Sequence, residues 1–123
     1  MLIDTTGNFP RVLPIQDLFI SYLNEHNINA ESFHTRTRLS YHLFKELRKP
    51  APHNIDRWQL LCICIGYDFS LARLREWFTT AGYLFTKDYP RYKYEFEIWQ
   101  QFKNHNIDAD EAIILVKKLY GKI

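Results

Sequence analysis

The chain has 123 residues, 46% of them hydrophobic and 24% charged, which suits one folded domain and excludes a disordered tail or a second independent core. A net charge of +2 is too small to indicate nucleic-acid binding by itself, so the local distribution of charge has to decide. The longest apolar run, Leu60 to Ile65, is too short to span a bilayer, and Met1 to Asp4 lack the basic-then-apolar order of a secretory leader. The expectation is therefore a soluble, cytoplasmic protein.

Residues 1–13 show no periodicity and read as a loose N-terminal segment. After Pro14, the residues Ile15, Leu18, Phe19, Tyr22 and Leu23 recur at helical spacing, and the pattern ends in the polar stretch Asn24 to Asn27. Asn29 can cap a short second helix from Ala30 to about Thr35. Ser40 can cap a third from Tyr41 to about Arg48. Pro50 and Pro52 then break the chain, because proline lacks a donor and disfavours helix in the residue before it.

From Asn54 or Ile55 a fourth segment is apolar on nearly every side, which marks a central helix ending at Gly66. Ser70 caps a fifth, whose stripe of Leu71, Leu74, Phe78 and Ala81 stops at Gly82, a residue suited to a left-handed turn. The span 91–98 alternates like an edge strand, yet Tyr92, Phe96, Trp99 and Phe102 also fit a helix. Helix is favoured, since the pattern continues to Lys103 and no partner strand is evident. In the last segment Asp108 and Glu111 form a capping box, Ala112, Leu115, Val116 and Leu119 face inward, and Lys117 and Lys118 suit the C-terminal dipole.

Catalytic and metal chemistry is not indicated. There is no Gly-rich phosphate loop and no nucleophile elbow. The histidines His26, His34, His42, His53 and His105 do not sit at ligand spacing, and Cys62 and Cys64, one residue apart in an apolar run, read as buried reduced thiols. The expectation is a non-enzyme without cofactor or metal.

The run Phe33 to Pro50 resembles the helix-turn-helix of the lambda-repressor-like (Cro- or XRE-type) family. Phe33 stands where that family has a buried residue on its second helix, Leu39 and Ser40 resemble the apolar-then-polar pair of the turn, and Phe44 and Leu47 resemble the inward residues of the recognition helix. Lys49-Pro50 is similar to the basic-then-proline exit, Ile65 to Leu71 to the link between the fourth and fifth helices, and Ala81-Gly82-Tyr83 to an ending in one branch. The resemblance covers about residues 15 to 85. His34 replaces a usually small residue, and Arg38 stands where glycine is common, so a left-handed Arg38 would cost strain.

The fold class this implies is all-α: a five-helix repressor-like bundle over 14–85 with about two additional helices in a packed C-terminal extension, 86–123. The implied function is a sequence-specific DNA-binding transcriptional regulator of bacterial, phage or mobile-element type, working as a homodimer on double-stranded DNA. Between Arg36 and Arg57, the cations Arg36, Arg38, Lys45, Arg48, Lys49 and Arg57 outnumber the anions Glu46 and Asp56. On the family's frame Ser40, Tyr41 and His42 would reach base edges or phosphates, while Arg36, Lys45 and Lys49 would neutralise phosphates, about three to five contacts in all, and Arg38 is a further DNA-binding candidate.

A second expectation concerns the aromatic C-terminal half, where Tyr89, Tyr92, Tyr94 and Trp99 are candidates for a dimer or partner surface. The alternative function is a protein-interaction module on a degenerate helix-turn-helix, such as a phage-encoded inhibitor of a CRISPR nuclease. Single-stranded or RNA binding is disfavoured, because the aromatics are not borne on strands.

Overall fold

The computed structural model describes residues 14–49 and 54–123. The segment 1–13 and the break expected at Pro50 and Pro52 lie outside the described residues. Among the described residues the chain is all-helical, with no strand: α1 (Pro14–His26), α2 (Ala30–Thr37), α3 (Tyr41–Glu46), α4 (Arg57–Gly66), α5 (Leu71–Thr80), a 3-10 turn at Pro90–Tyr92, α6 (Lys93–Lys103) and α7 (Ala109–Leu119). The alternating span 91–98 is thus helical, with Phe96 and Trp99 turned into the core.

Local chemistry sets most boundaries. The side chains of Asn29, Ser40, Ser70 and Asp108 each accept a backbone N–H of the helix they precede. Five helices end in a left-handed residue followed by a six-to-one hydrogen bond; at α5, for example, Gly82 has φ 88° and the N–H of Tyr83 donates to Phe78 O at 2.7 Å. Three boundaries differ from expectation, the first being the end of α2, which runs to Thr37 rather than about Thr35. α3 stops at Glu46 rather than near Arg48, with Arg48 and Lys49 in tighter turns on Lys45 O and Glu46 O as the chain approaches Pro50. α4 begins at Arg57 because Asn54 Oδ1 accepts from Ile55 N and the Gln59 side chain accepts from Asp56 N, which commits the preceding residues to a cap.

α4 is the central element. Leu60 to Gly66 are all buried, and α2, α5 and α7 each pack against it. One hydrophobic cluster runs from Ile15 in α1 to Val116 in α7, so the C-terminal helices share the core of the first five. At one end of it Phe19 meets Phe33 and Phe44 edge-on, at 5.5 and 6.1 Å between centroids. Gln16, fully buried in α1, donates to Lys49 O at 2.7 Å and so ties the exit of α3 to the core.

Gly66 has a role beyond the helix stop its position suggested. A Cβ there would lie 2.5 Å from Arg36 O, so α4 and α2 cross backbone to backbone, and the left-handed residue that ends α4 is Asp68, with φ 51°. The other constraint is electrostatic. Glu95 on α6 is fully buried; Arg57 Nε donates to both its oxygens at 2.8 and 2.9 Å, Arg57 Nη2 lies 2.7 Å from Oε1, and the Tyr120 hydroxyl donates to Oε2. The Arg57 guanidinium also lies 3.9 Å from the centroid of the Tyr92 ring.

Two stability effects follow. Gly66→Ala is expected to lower unfolding stability by about 1–3 kcal/mol, the usual cost of overpacking against atoms that cannot move aside. Arg57→Leu leaves a buried carboxylate uncompensated and should cost about 3–5 kcal/mol. Urea unfolding followed by far-UV circular dichroism measures both, and a change below about 0.5 kcal/mol in either would contradict the packing described.

Candidate nucleic-acid interface

α2, a short turn and α3 form the candidate site. Leu43, Phe44 and Leu47 are buried, and this inward row turns Tyr41, His42 and Lys45 to solvent. The turn is held from inside: Thr37 Oγ1 donates to Phe33 O at 2.7 Å and accepts from Leu39 N, while Leu39 itself is buried. His34, bulky where a small residue is usual in the resembled family, lies 2.7 Å from Leu39 O through Nδ1, and its ring stacks on Tyr41 at 4.7 Å. The imidazole therefore braces the turn.

Arg38 occupies the left-handed region, at φ 59° and ψ 22°. That conformation costs a non-glycine residue of order 1 kcal/mol. Contacts from α7 offset the strain: Arg38 Nε and Nη2 each donate to Asp110 at 3.2 Å, and Lys117 Nζ donates to Arg38 O at 2.7 Å. The C-terminal helix thus closes on the turn.

The candidate residues divide by what they touch. Lys45 is exposed and makes no ion pair with any described residue. Lys49 pairs with Glu46 at 2.9 Å, and His42 lies 3.9 Å from the same carboxylate. Arg48 extends over the Phe44 ring, and Ser40 spends its hydroxyl on the α3 cap. Arg36 remains exposed, but its Nε donates to Gly66 O at 3.0 Å and its guanidinium lies over Tyr67. Arg57 is not part of a basic face, since it is consumed by Glu95. The cationic cluster legible in the chain is correspondingly smaller on the surface, because Glu95 withdraws Arg57 while Glu46 pairs with Lys49 and Asp110 with Arg38.

The aromatic candidates separate as well. Trp99 is a core residue, buried against Phe85 and Phe102, and is corrected from partner surface to interior, whereas Tyr92 is half-buried under Arg57 and still lines a surface pocket with Tyr89. Tyr89 and Tyr94 are exposed, at 54% and 60%. Glu95 and Tyr120 lay outside every motif because their partner Arg57 is distant in sequence. Burial first, and the hydrogen bond to Glu95 second, push the Tyr120 hydroxyl well above its usual pKa, so it stays a donor.

Among the described residues no group of His, Cys, Asp and Glu could hold a metal ion, and no helix is long and apolar enough to cross a membrane. The chain matches no family model, no curated protein and no solved structure.

Both cysteines are buried, and loss of solvation raises both thiols, Cys62 from 9.0 to about 12. The unfolded chain releases these protons near 9.0 while folded Cys62 holds its own to about 12. Stability from this source is therefore complete below the first value and lost as pH rises through the second. We expect neither thiol to react with a disulfide reagent in the native protein at mildly alkaline pH, and both to react in denaturant. Rapid native labelling would show that α4 opens.

Proposed function

We propose that this chain binds double-stranded DNA through the outward face of α3 and acts as a sequence-specific transcriptional regulator of the repressor-like helix-turn-helix type. The observation that carries the reading is the division of α3 into a buried row, Leu43, Phe44 and Leu47, and an uncovered row, Tyr41, His42 and Lys45, beside Arg48 and Lys49. Tyr41 and His42 are the candidates for base edges, and Lys45, Arg48 and Lys49 for phosphates. Since Glu46 holds Lys49 in the free protein, about two to three phosphates are neutralised rather than the larger number the composition suggested.

Fluorescence anisotropy with labelled genomic fragments at several salt concentrations tests the reading. The logarithm of the binding constant should fall with that of salt with a slope of about −2 to −3. Lys45→Ala should weaken binding to all fragments alike and reduce the slope by about one unit. Tyr41→Ala and His42→Ala should instead change which fragments are preferred. Binding that is absent, or indifferent to salt, would overturn the proposal.

A second reading, the protein-interaction module, is favoured by one observation. Leu84 and Tyr89 are exposed beside Arg91 around a pocket of about 300 Å³, away from α3. A phage-encoded inhibitor would use such a surface on another macromolecule. Binding to DNA that is unchanged by Tyr89→Ala but weakened by Lys45→Ala separates the two readings.

A further inference from the structure

An open groove of about 720 Å³ lies not on α3 but between α6 and α7. Tyr94 and Ile98 of α6, Ile107 of the connecting turn, and Leu115 and Leu119 of α7 line it. Leu115 and Leu119 stand one helical turn apart, as do Tyr94 and Ile98, so each helix contributes a short apolar row along the groove. α7 already buries Ala112, Ile113 and Val116, yet Leu115 and Leu119 remain 38% and 43% exposed. Sequence periodicity placed these two leucines inside with Ala112 and Val116; the monomer leaves them uncovered. Tyr94, Leu115 and Leu119 thus present apolar surface to solvent along one groove.

The groove also has one charge of each sign. Glu97 lines it from α6 and Lys118 from α7. They do not pair with each other: Glu97 reaches only Lys93, at 4.0 Å, and Lys118 makes no ion pair with a described residue. A partner helix rich in one charge would set like against like at one of the two positions. A surface carrying an apolar floor, one acid and one base is instead complementary to itself under two-fold rotation, where a residue contacts its counterpart and the counterpart contacts it.

We infer that the α6–α7 groove is the interface of a homodimer, two hairpins meeting face to face as a four-helix arrangement in which Glu97 of each copy faces Lys118 of the other. Packing of this kind favours helices nearly aligned, about 20° apart. The pairing lies entirely in the C-terminal extension, beyond the region on which the DNA-binding reading rests, and it holds whether or not α3 contacts DNA.

Sedimentation equilibrium of the full chain without DNA, over about a hundredfold range of concentration, tests the inference. The mass should move from 14.9 kDa towards twice that value as concentration rises. Leu115→Glu and Leu119→Glu, both at exposed positions, should keep the chain monomeric with an unchanged circular dichroism spectrum. Glu97→Lys and Lys118→Glu should each weaken dimerisation about three- to tenfold, and the two together should restore it. A chain that stays monomeric throughout, a dimer indifferent to both leucine changes, or a double reversal that fails to restore pairing would overturn it. A heterologous protein held by the groove of a monomeric chain would overturn it equally. Because no DNA is present, failure here leaves the α3 reading intact, and loss of DNA binding leaves the dimer intact.

Discussion

One buried ion pair ties the segments C-terminal to α5 to the head of the central helix. Glu95 is fully buried, and such a carboxylate survives only if its charge is met and its lone pairs are used. Arg57 at the start of α4 meets the charge, and Tyr120 just beyond α7 supplies a further donor. Three segments far apart in the chain are thereby brought to one point: the head of the central helix, the first turn of α6 and the tail of α7. The Tyr92 ring over the guanidinium adds the 3-10 turn to the same cluster. Apolar contacts alone would hold α6 and α7 near α4 but would tolerate sliding. Directional bonds to a single carboxylate do not, which makes the cluster a device for register as much as for stability.

Helix positions were largely legible because their causes are local. Caps at Asn29, Ser40, Ser70 and Asp108, the stop at Gly82 and the 3.6-residue stripes all act within a few neighbours, and each produces the expected element. The span 91–98 was harder, since alternation of aromatic and charged residues serves strand and helix alike. It resolves because Phe96 and Trp99 find a core to enter, while Glu95 is turned inward by Arg57 instead of outward by its polarity.

What was not legible depends on residues distant in sequence. Arg57 counted among the surface cations until its partner, 38 positions away, removed it. Gly66 reads as a helix terminator in isolation, and only the crossing with α2 reveals that its missing side chain makes room for Arg36 O. Trp99 is an aromatic residue of the kind found at interfaces, but the same chemistry fills a core when Phe85 is opposite. For α3 the type of each residue was readable and its availability was not: Ser40, Arg38 and Lys49 are all partly engaged by neighbours within the chain.

The left-handed turn at Arg38 has a consequence at a distance. Its backbone oxygen and guanidinium are gripped by Lys117 and Asp110, and the same α7 carries Leu115 and Leu119 on another side. From Asp110 to Leu119 is about 14 Å along the helix axis at 1.5 Å per residue. A single stiff rod of backbone hydrogen bonds therefore joins the turn that orients α3 to the uncovered leucines. Lys117, which holds the backbone oxygen of that turn, lies between Leu115 and Leu119 in sequence, so one helix carries both the restraint on the turn and the uncovered leucines. A glycine at position 38 would relieve the left-handed strain and keep the Lys117 bond to the backbone oxygen, but it would lose both guanidinium bonds to Asp110 and with them the grip on the first turn of α7.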